Sequence, residues 1–177
     1  KVKTTLADIQ QYFTAAYKVC DPQGNHLATK NRYDPPYPQK KYYEWLQADG
    51  TKGLGDDLKT ENLLYGIESL RYLPKGATVY FVEGEKVAAA LIAVGLNAVG
   101  TTSGAKGTPS KEILRYLDGF ILHLCPDNDP EGRDHMDRTY TQLQELGHPE
   151  TYKLDWAEAP EHGDLADAIE YFFMDAT

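Results

Sequence analysis

Phe120-Ile121-Leu122-His123-Leu124-Cys125-Pro126-Asp127-Asn128-Asp129-Pro130-Glu131-Gly132-Arg133 is the stretch on which the fold turns. The run Phe120 to Leu124 suits a strand buried on both faces. An acidic turn follows it. Pro130 then sits where a first-turn proline opens a helix, which the pattern carries to Leu146, with Gly147 as its stop. Upstream the same rhythm occurs. Thr78-Val79-Tyr80-Phe81-Val82 predicts a second buried strand, Glu83 and Gly84 follow at once, and Lys86 to Val94 reads as an alanine-rich helix ending at Gly95. Between them, Ala98-Val99 predicts a short strand, Gly100 to Gly107 a loop, and Thr108-Pro109 the cap and first turn of a helix to about Tyr116. Tyr152 to Leu154 predicts a fourth strand and Leu165 to Phe173 a last helix. Strands alternating with helices predict an α/β domain with a parallel central sheet, right-handed crossovers and flanking helices. In such sheets ligands bind at the carboxyl ends of the strands. Glu83 and the Asp127-Asn128-Asp129 turn fall there.

The chain before this part is irregular and aromatic. Thr5 to Phe13 predicts a short helix, with Leu6, Ile9, Gln10 and Phe13 on one face. Ala16 to Cys20 and His26 to Tyr33, around Asp21-Pro22-Gln23-Gly24-Asn25, predict a β-hairpin. Lys41 to Leu46 predicts a further strand, and Ala48 to Asp57, with three glycines, a loop. The expected division is a small β-containing region over residues 1–74 and an α/β domain over 75–177.

Apolar residues make up 41% of the 177 and charged residues 25%, as in an ordinary globular protein. No apolar run approaches the ~18 residues of a membrane helix, and no signal peptide is visible. The absence of an initiator Met suggests a piece of a longer protein. Cys20 and Cys125 form neither a disulfide framework nor a zinc site, and they fit a reducing cytoplasm. The net charge of -9 sits awkwardly with nucleic-acid binding, which leans on basic patches. Either the chain does not bind nucleic acid, or other parts of the parent protein grip it, or metal ions supply positive charge.

Asp127 and Asp129 are two residues apart, so in extended backbone they point the same way. Paired carboxylates at a strand end repel unless a cation lies between them. Hard oxygen ligands suit magnesium, which keeps several waters and needs only one or two protein carboxylates plus substrate phosphates. Glu83, on a neighbouring strand, would ligate metal or move a proton. The plainer account makes Asp127 or Glu83, each taken alone, structural: Asp and Asn after a strand are common turn formers, and a carboxylate before a helix is a common cap. An EF-hand is excluded: its twelfth position would be Arg138, and a buried strand precedes the loop.

Val82-Glu83-Gly84-Glu85-Lys86 followed by a helix, and Pro126-Asp127-Asn128-Asp129-Pro130-Glu131-Gly132-Arg133, resemble in order the two motifs of the TOPRIM domain. His162-Gly163-Asp164-Leu165-Ala166-Asp167 is similar to the Gly-Asp stretch that follows them in phage and plasmid DNA primases. Tyr17, Asp21, Gly24, Arg32 and Leu64-Tyr65-Gly66 resemble the segment that precedes TOPRIM there. The resemblance implies a Rossmann-like fold and Mg2+-dependent (or Mn2+-dependent) nucleotidyl transfer in RNA primer synthesis. Its partners would be a single-stranded DNA template, NTPs and a replicative helicase. It makes Glu83 the general acid/base and Asp127 and Asp129 metal ligands, with Asp164 adding a metal contact. Val87 departs from the pattern, where relatives often carry Asp. Neither a zinc-ribbon cysteine set nor a helicase motor is visible.

Lys86, Lys106 and Arg133 fall in loops or first turns at the site edge, where they would meet phosphates, although solvated charge is the default account. Gly100 to Lys106 lacks phosphate-loop spacing. His123 lies in a buried strand and reads as core; His135 follows the acidic turn, within reach of the site, with a structural role the plainer account. Tyr37, Tyr42, Tyr43 and Trp45 offer stacking surfaces, with strand packing the plainer account. A TOPRIM nuclease would use the same acids to cleave DNA. A non-catalytic module binding nucleic acid or a replication partner is the rival of another class.

Overall fold

The computed structural model describes residues 10–154, 156 and 159–174, with side chains described through 169. Among the described residues there are eight strands: β1 (Phe13–Cys20), β2 (His26–Tyr33), β3 (Tyr42–Gln47), β4 (Leu64–Tyr65), β5 (Thr78–Val82), β6 (Ala98–Thr101), β7 (Ile121–Cys125) and β8 (Thr151–Lys153). The α-helices that lie within the described residues are α1 (Glu85–Ala93), α2 (Lys111–Leu114), α3 (Pro130–Glu145) and α4 (Leu165–Met174).

The first three strands form an antiparallel sheet in the order β1-β2-β3. The hairpin expected around Asp21 is there. The Asp21 carboxylate accepts from the Gln23 N–H at 3.0 Å and the Asn25 N–H at 2.8 Å, closing an Asx-type turn. The helix expected over Thr5 to Phe13 falls mostly on 5–9, outside the described residues. Phe13 itself opens β1 opposite Tyr33, because its ring packs edge-on against Tyr33 at 5.8 Å.

The other five strands form one sheet in the order β4-β6-β5-β7-β8. Pairings β5–β6, β5–β7 and β7–β8 are parallel, and β4 is an antiparallel edge strand on β6. Alternation along β5 and β7 serves two cores. Val79, Phe81, Leu122 and Leu124 pack with Ile113 and Leu114 of α2 and Met136 and Leu143 of α3. Val82 and Cys125 pack on the other face with Val87, Ala88 and Leu91 of α1 and Ala166 of α4. Both faces are therefore covered, as the apolar strand sequences require. Each Val, Leu, Ile, Phe or Met among them contributes about 1.5–3 kcal/mol by burial.

The helix expected from Thr108 is shorter and starts later. Ser110 caps it, accepting from the Ile113 N–H at 3.4 Å, and α2 passes into a 3-10 turn over Arg115–Leu117. The Thr108 hydroxyl instead accepts from Arg138 Nε at 3.0 Å. Leu64–Tyr65, which precede the expected division at residue 74, join the five-stranded sheet. Among the described residues no helix is long and apolar enough to cross a membrane.

Candidate functional site at the strand ends

Val82 and Cys125 are register partners, so β5 and β7 end level. The chain leaves β5 through Glu83 and turns at Gly84 (φ 89°) into α1. Gly100 of β6 lies directly beneath that turn. A Cβ there would collide with the Gly84 carbonyl oxygen, so only glycine permits this approach. Beyond β7, Gly132 plays the matching part. A Cβ on it would stand 2.7 Å from the Asp127 carbonyl oxygen and 3.0 Å from its nitrogen.

Each acid is held differently. Asp129 caps α3, with Oδ1 accepting from the Gly132 N–H at 2.7 Å, while His162 Nδ1 lies 3.2 Å from its Oδ2. The plainer account of a cap is thus correct for one oxygen of Asp129. Asp164 and Asp167 form a reciprocal cap at the start of α4. Asp164 Oδ1 accepts from the Ala166 and Asp167 N–H groups, and Asp167 Oδ2 accepts from the Asp164 N–H. Asp164 Oδ2 pairs with Lys86 at 3.3 Å. Asn128 ties the two acidic segments together. Its Nδ2 donates to the Ala159 and Pro160 carbonyls at 2.9 and 3.0 Å, and its N–H to the Gly163 carbonyl at 2.8 Å.

Asp127 caps nothing, and its environment is hostile to charge. Burial first, then the nearby carboxylates of Glu83, Asp164 and Asp129, push it up to about 7. Burial also raises Glu83, with Asp129 adding to the shift and Lys41 and Arg138 opposing it. Glu83 Oε2 is buried without a hydrogen-bond partner. Asp129 goes the other way: burial would raise it, but the Gly132 N–H and His162 outweigh burial and hold it low. An orphaned buried carboxylate oxygen beside an acid shifted toward protonation makes this crevice a candidate functional site.

A cleft of about 300 Å3 opens above Glu83, Asp127 and Asp164, and Asp129 is not among the residues that line it. Glu83, Asp127 and Asp164 line one wall. Lys30, Arg32, Lys41 and Tyr43, from or beside β2 and β3, line the other. Among the described residues no three His, Cys, Asp or Glu side chains converge tightly enough to hold a metal ion by themselves. The carboxylates surround a cleft rather than a point. That donor set fits magnesium, which completes its shell with water and phosphate oxygens.

The expected basic residues separate. Lys86 lines the cleft. Arg133 Nη1 is engaged by Asn128 Oδ1 at 3.0 Å and supports the loop. Lys106 is exposed and does not line the cleft. His135 is wholly buried, donating from Nδ1 to the Gly107 carbonyl at 2.9 Å, and it braces the loop after β6. His123 stacks between Tyr80 and Tyr152. Sequence reasoning missed Lys30 and Lys41, and it had Arg32 only by resemblance. A signal existed for Lys30: alternation from buried Ala28 places it on the inner face of β2.

No protein-family profile matches the chain, and no curated protein matches it in sequence. Solved structures do match. The zinc-binding and RNA polymerase domains of the Aquifex aeolicus primase superpose with a TM-score of 0.68 at 17% identity, over 95% of this chain and 43% of that one. A DnaG primase catalytic domain bound to single-stranded DNA gives 0.63 at 16%, over 91% and 50%. This chain has the fold of part of a DNA primase catalytic domain. The primase fragment of the bacteriophage T7 primase-helicase protein gives 0.60 at 17%, over 90% and 61%. The chain therefore spans 43 to 61% of the length of these three primase structures.

Proposed function

We propose that the chain is the TOPRIM nucleotidyltransferase part of a DNA primase of the phage or plasmid kind, making RNA primers on single-stranded DNA in the cytoplasm. The observation that carries this reading is the pairing of Glu83 and Asp127, both half-buried and shifted toward protonation, with a cationic wall across the cleft. In this reading Asp127 and Asp129 hold Mg2+ (or Mn2+), and Asp164 adds a contact from α4. The bound metal would neutralise charge developing on the triphosphate. Glu83 takes the proton of the attacking 3′-hydroxyl as its oxygen bonds to the α-phosphorus of the incoming NTP and pyrophosphate leaves. Its raised pKa brings it nearer the pH at which such transfer is efficient. Lys41 and Arg32 meet the triphosphate oxygens, and Lys86 orients Asp164. Since the chain as a whole is acidic, binding of DNA depends on this local wall and on the metal rather than on net charge. The division near residue 74 and a helicase partner belong to the same reading.

The test is template-directed NTP incorporation on single-stranded DNA by the native full-length protein and its Glu83→Gln variant. Primer synthesis by the wild type and a loss of about 10²–10⁴-fold in the variant is the expected result. Glu83-dependent DNA nicking without incorporation would replace the primase by the nuclease. Binding of DNA without either activity would favour a non-catalytic module.

A further inference from the structure

Lys30 is a lysine in the wrong place for a solvated charge. It is 8% exposed, on the inner face of β2, and its Nζ donates to Glu85 Oε1 at 2.8 Å and to the Thr102 carbonyl at 3.0 Å. Glu85, the first residue of α1, is 4% exposed. The Tyr43 and Trp45 rings cover the ammonium at 4.6 and 5.5 Å. Thus one buried ion pair joins the three-stranded sheet to the first turn after Glu83 and to the loop after β6.

Burying such a pair is poor economy for stability alone, because desolvation offsets most of the attraction. Fixing a register between elements is the better-attested use. Here the register concerns the two walls of the cleft. Lys30 shares β2 with Arg32, and Glu85 lies two residues from Glu83. We infer that Lys30 and Glu85 are positioning residues: a buried strut that sets the distance from the cationic wall to the acids and so tunes the grip on a nucleoside triphosphate. The inference rests on the primase reading for its ligand, but the strut itself is a statement about geometry. Glu85 also keeps Lys30 from serving as a phosphate ligand.

The experiment compares wild type, Glu85→Gln and Lys30→Met/Glu85→Gln. The double variant leaves no unpaired buried charge. Each carries spin labels at Ala48→Cys, beyond β3, and Asp134→Cys, on α3; both sites are exposed, and both native cysteines are buried. Mn2+ binding, thermal midpoint and ATP binding in the presence of Mn2+ are measured on the same samples. The expected result is a broader, longer label distance in the double variant. ATP affinity should fall by about tenfold, equivalent to about 1.4 kcal/mol of lost contact, with the Mn2+ affinity and midpoint near wild type. In Glu85→Gln the ATP affinity should also fall. An unchanged distance distribution overturns the strut. Tighter ATP binding in Glu85→Gln overturns it too, because it makes Lys30 a phosphate ligand that Glu85 had been occupying. If the wild type binds no ATP, the primase reading fails, and the distance alone decides the strut.

Discussion

Val82 and Cys125 share a rung between the parallel strands β5 and β7, so Glu83 and Asp127 leave the same end of the sheet one and two residues past it. The meeting of Glu83 with Asp127 follows from that level ending. The apolar runs that bury both strands also deliver two carboxylates into a partly dry crevice, where each disfavours the other's ionisation. The protein holds this arrangement with close-approach glycines, Gly100 and Gly132, and with caps that use the neighbouring acids.

The first consequence is in stability against pH. Asp127 has a folded-state pKa of about 7, above its unfolded value of about 3.9. A raised acid binds its proton more tightly when folded. Its stabilising effect is complete below the unfolded value and is lost as pH rises from about 4 to about 7. Asp127→Asn removes that loss. The variant should therefore match wild type near pH 4 and exceed it at pH 8 by roughly 2 kcal/mol, discounted from the full linkage value because the carboxyl is partly exposed. Thermal melts at the two pH values measure the difference, and a gap that does not widen with pH would refute the assignment.

Metal binding should show the same titration from the other side. A cation at Asp127 must displace a proton, so Mn2+ affinity should rise between pH 6 and pH 8. Calorimetry should find proton release on binding at pH 6 and little at pH 8. Asp127→Asn/Asp129→Asn should lose the heat entirely. Equal binding by that double variant would move the cation elsewhere.

Gly132 gives a test of close approach. In Gly132→Ala the new methyl meets backbone atoms of Asp127, which cannot rotate away as a side chain would. The expected cost is about 1–3 kcal/mol, with a loss of Mn2+ affinity because the loop carrying Asp127 must move. Glu131→Ala, one residue away and exposed, should leave both unchanged. A Gly132→Ala protein with wild-type midpoint and metal affinity would show the loop to be pliant.

How much was legible beforehand follows the range of the forces involved. β5, β7 and α3 announced themselves because burial on both faces leaves unbroken apolar runs, and because Pro130 and Gly147 mark the ends of a long helix. Glu83 and the Asp127 turn were legible as strand-end acids for the same reason. The two residues of β4 carry no pattern of their own; their pairing with β6 is decided by a contact more than 30 residues away. The start of α2 was misjudged because Thr108 and Ser110 are both good caps. Arg138, 30 residues on, takes the Thr108 hydroxyl and leaves Ser110 the role. The cationic wall was hidden for a similar cause, since nothing local says that β2 lies over α1.

Asn128 provides the last test, of whether Asp164 belongs to the site. Four of its hydrogen bonds fasten the loop after β7 to residues 159–163, and a fifth holds Arg133. Asn128→Ala keeps the backbone bonds to His162 and Gly163 but removes the side-chain ones. The fold should survive with a loss of about 1–2 kcal/mol, the scale of a few part-exposed hydrogen bonds. The segment leading to Asp164 should loosen, so the His162 amide, which donates to the Asn128 carbonyl, should exchange faster. If Asp164 contacts the metal, Mn2+ affinity should drop several-fold in step with that exchange. Faster exchange with unchanged affinity would remove Asp164 from the ligand set and leave Asp127 and Asp129 to hold the cation with water and phosphate.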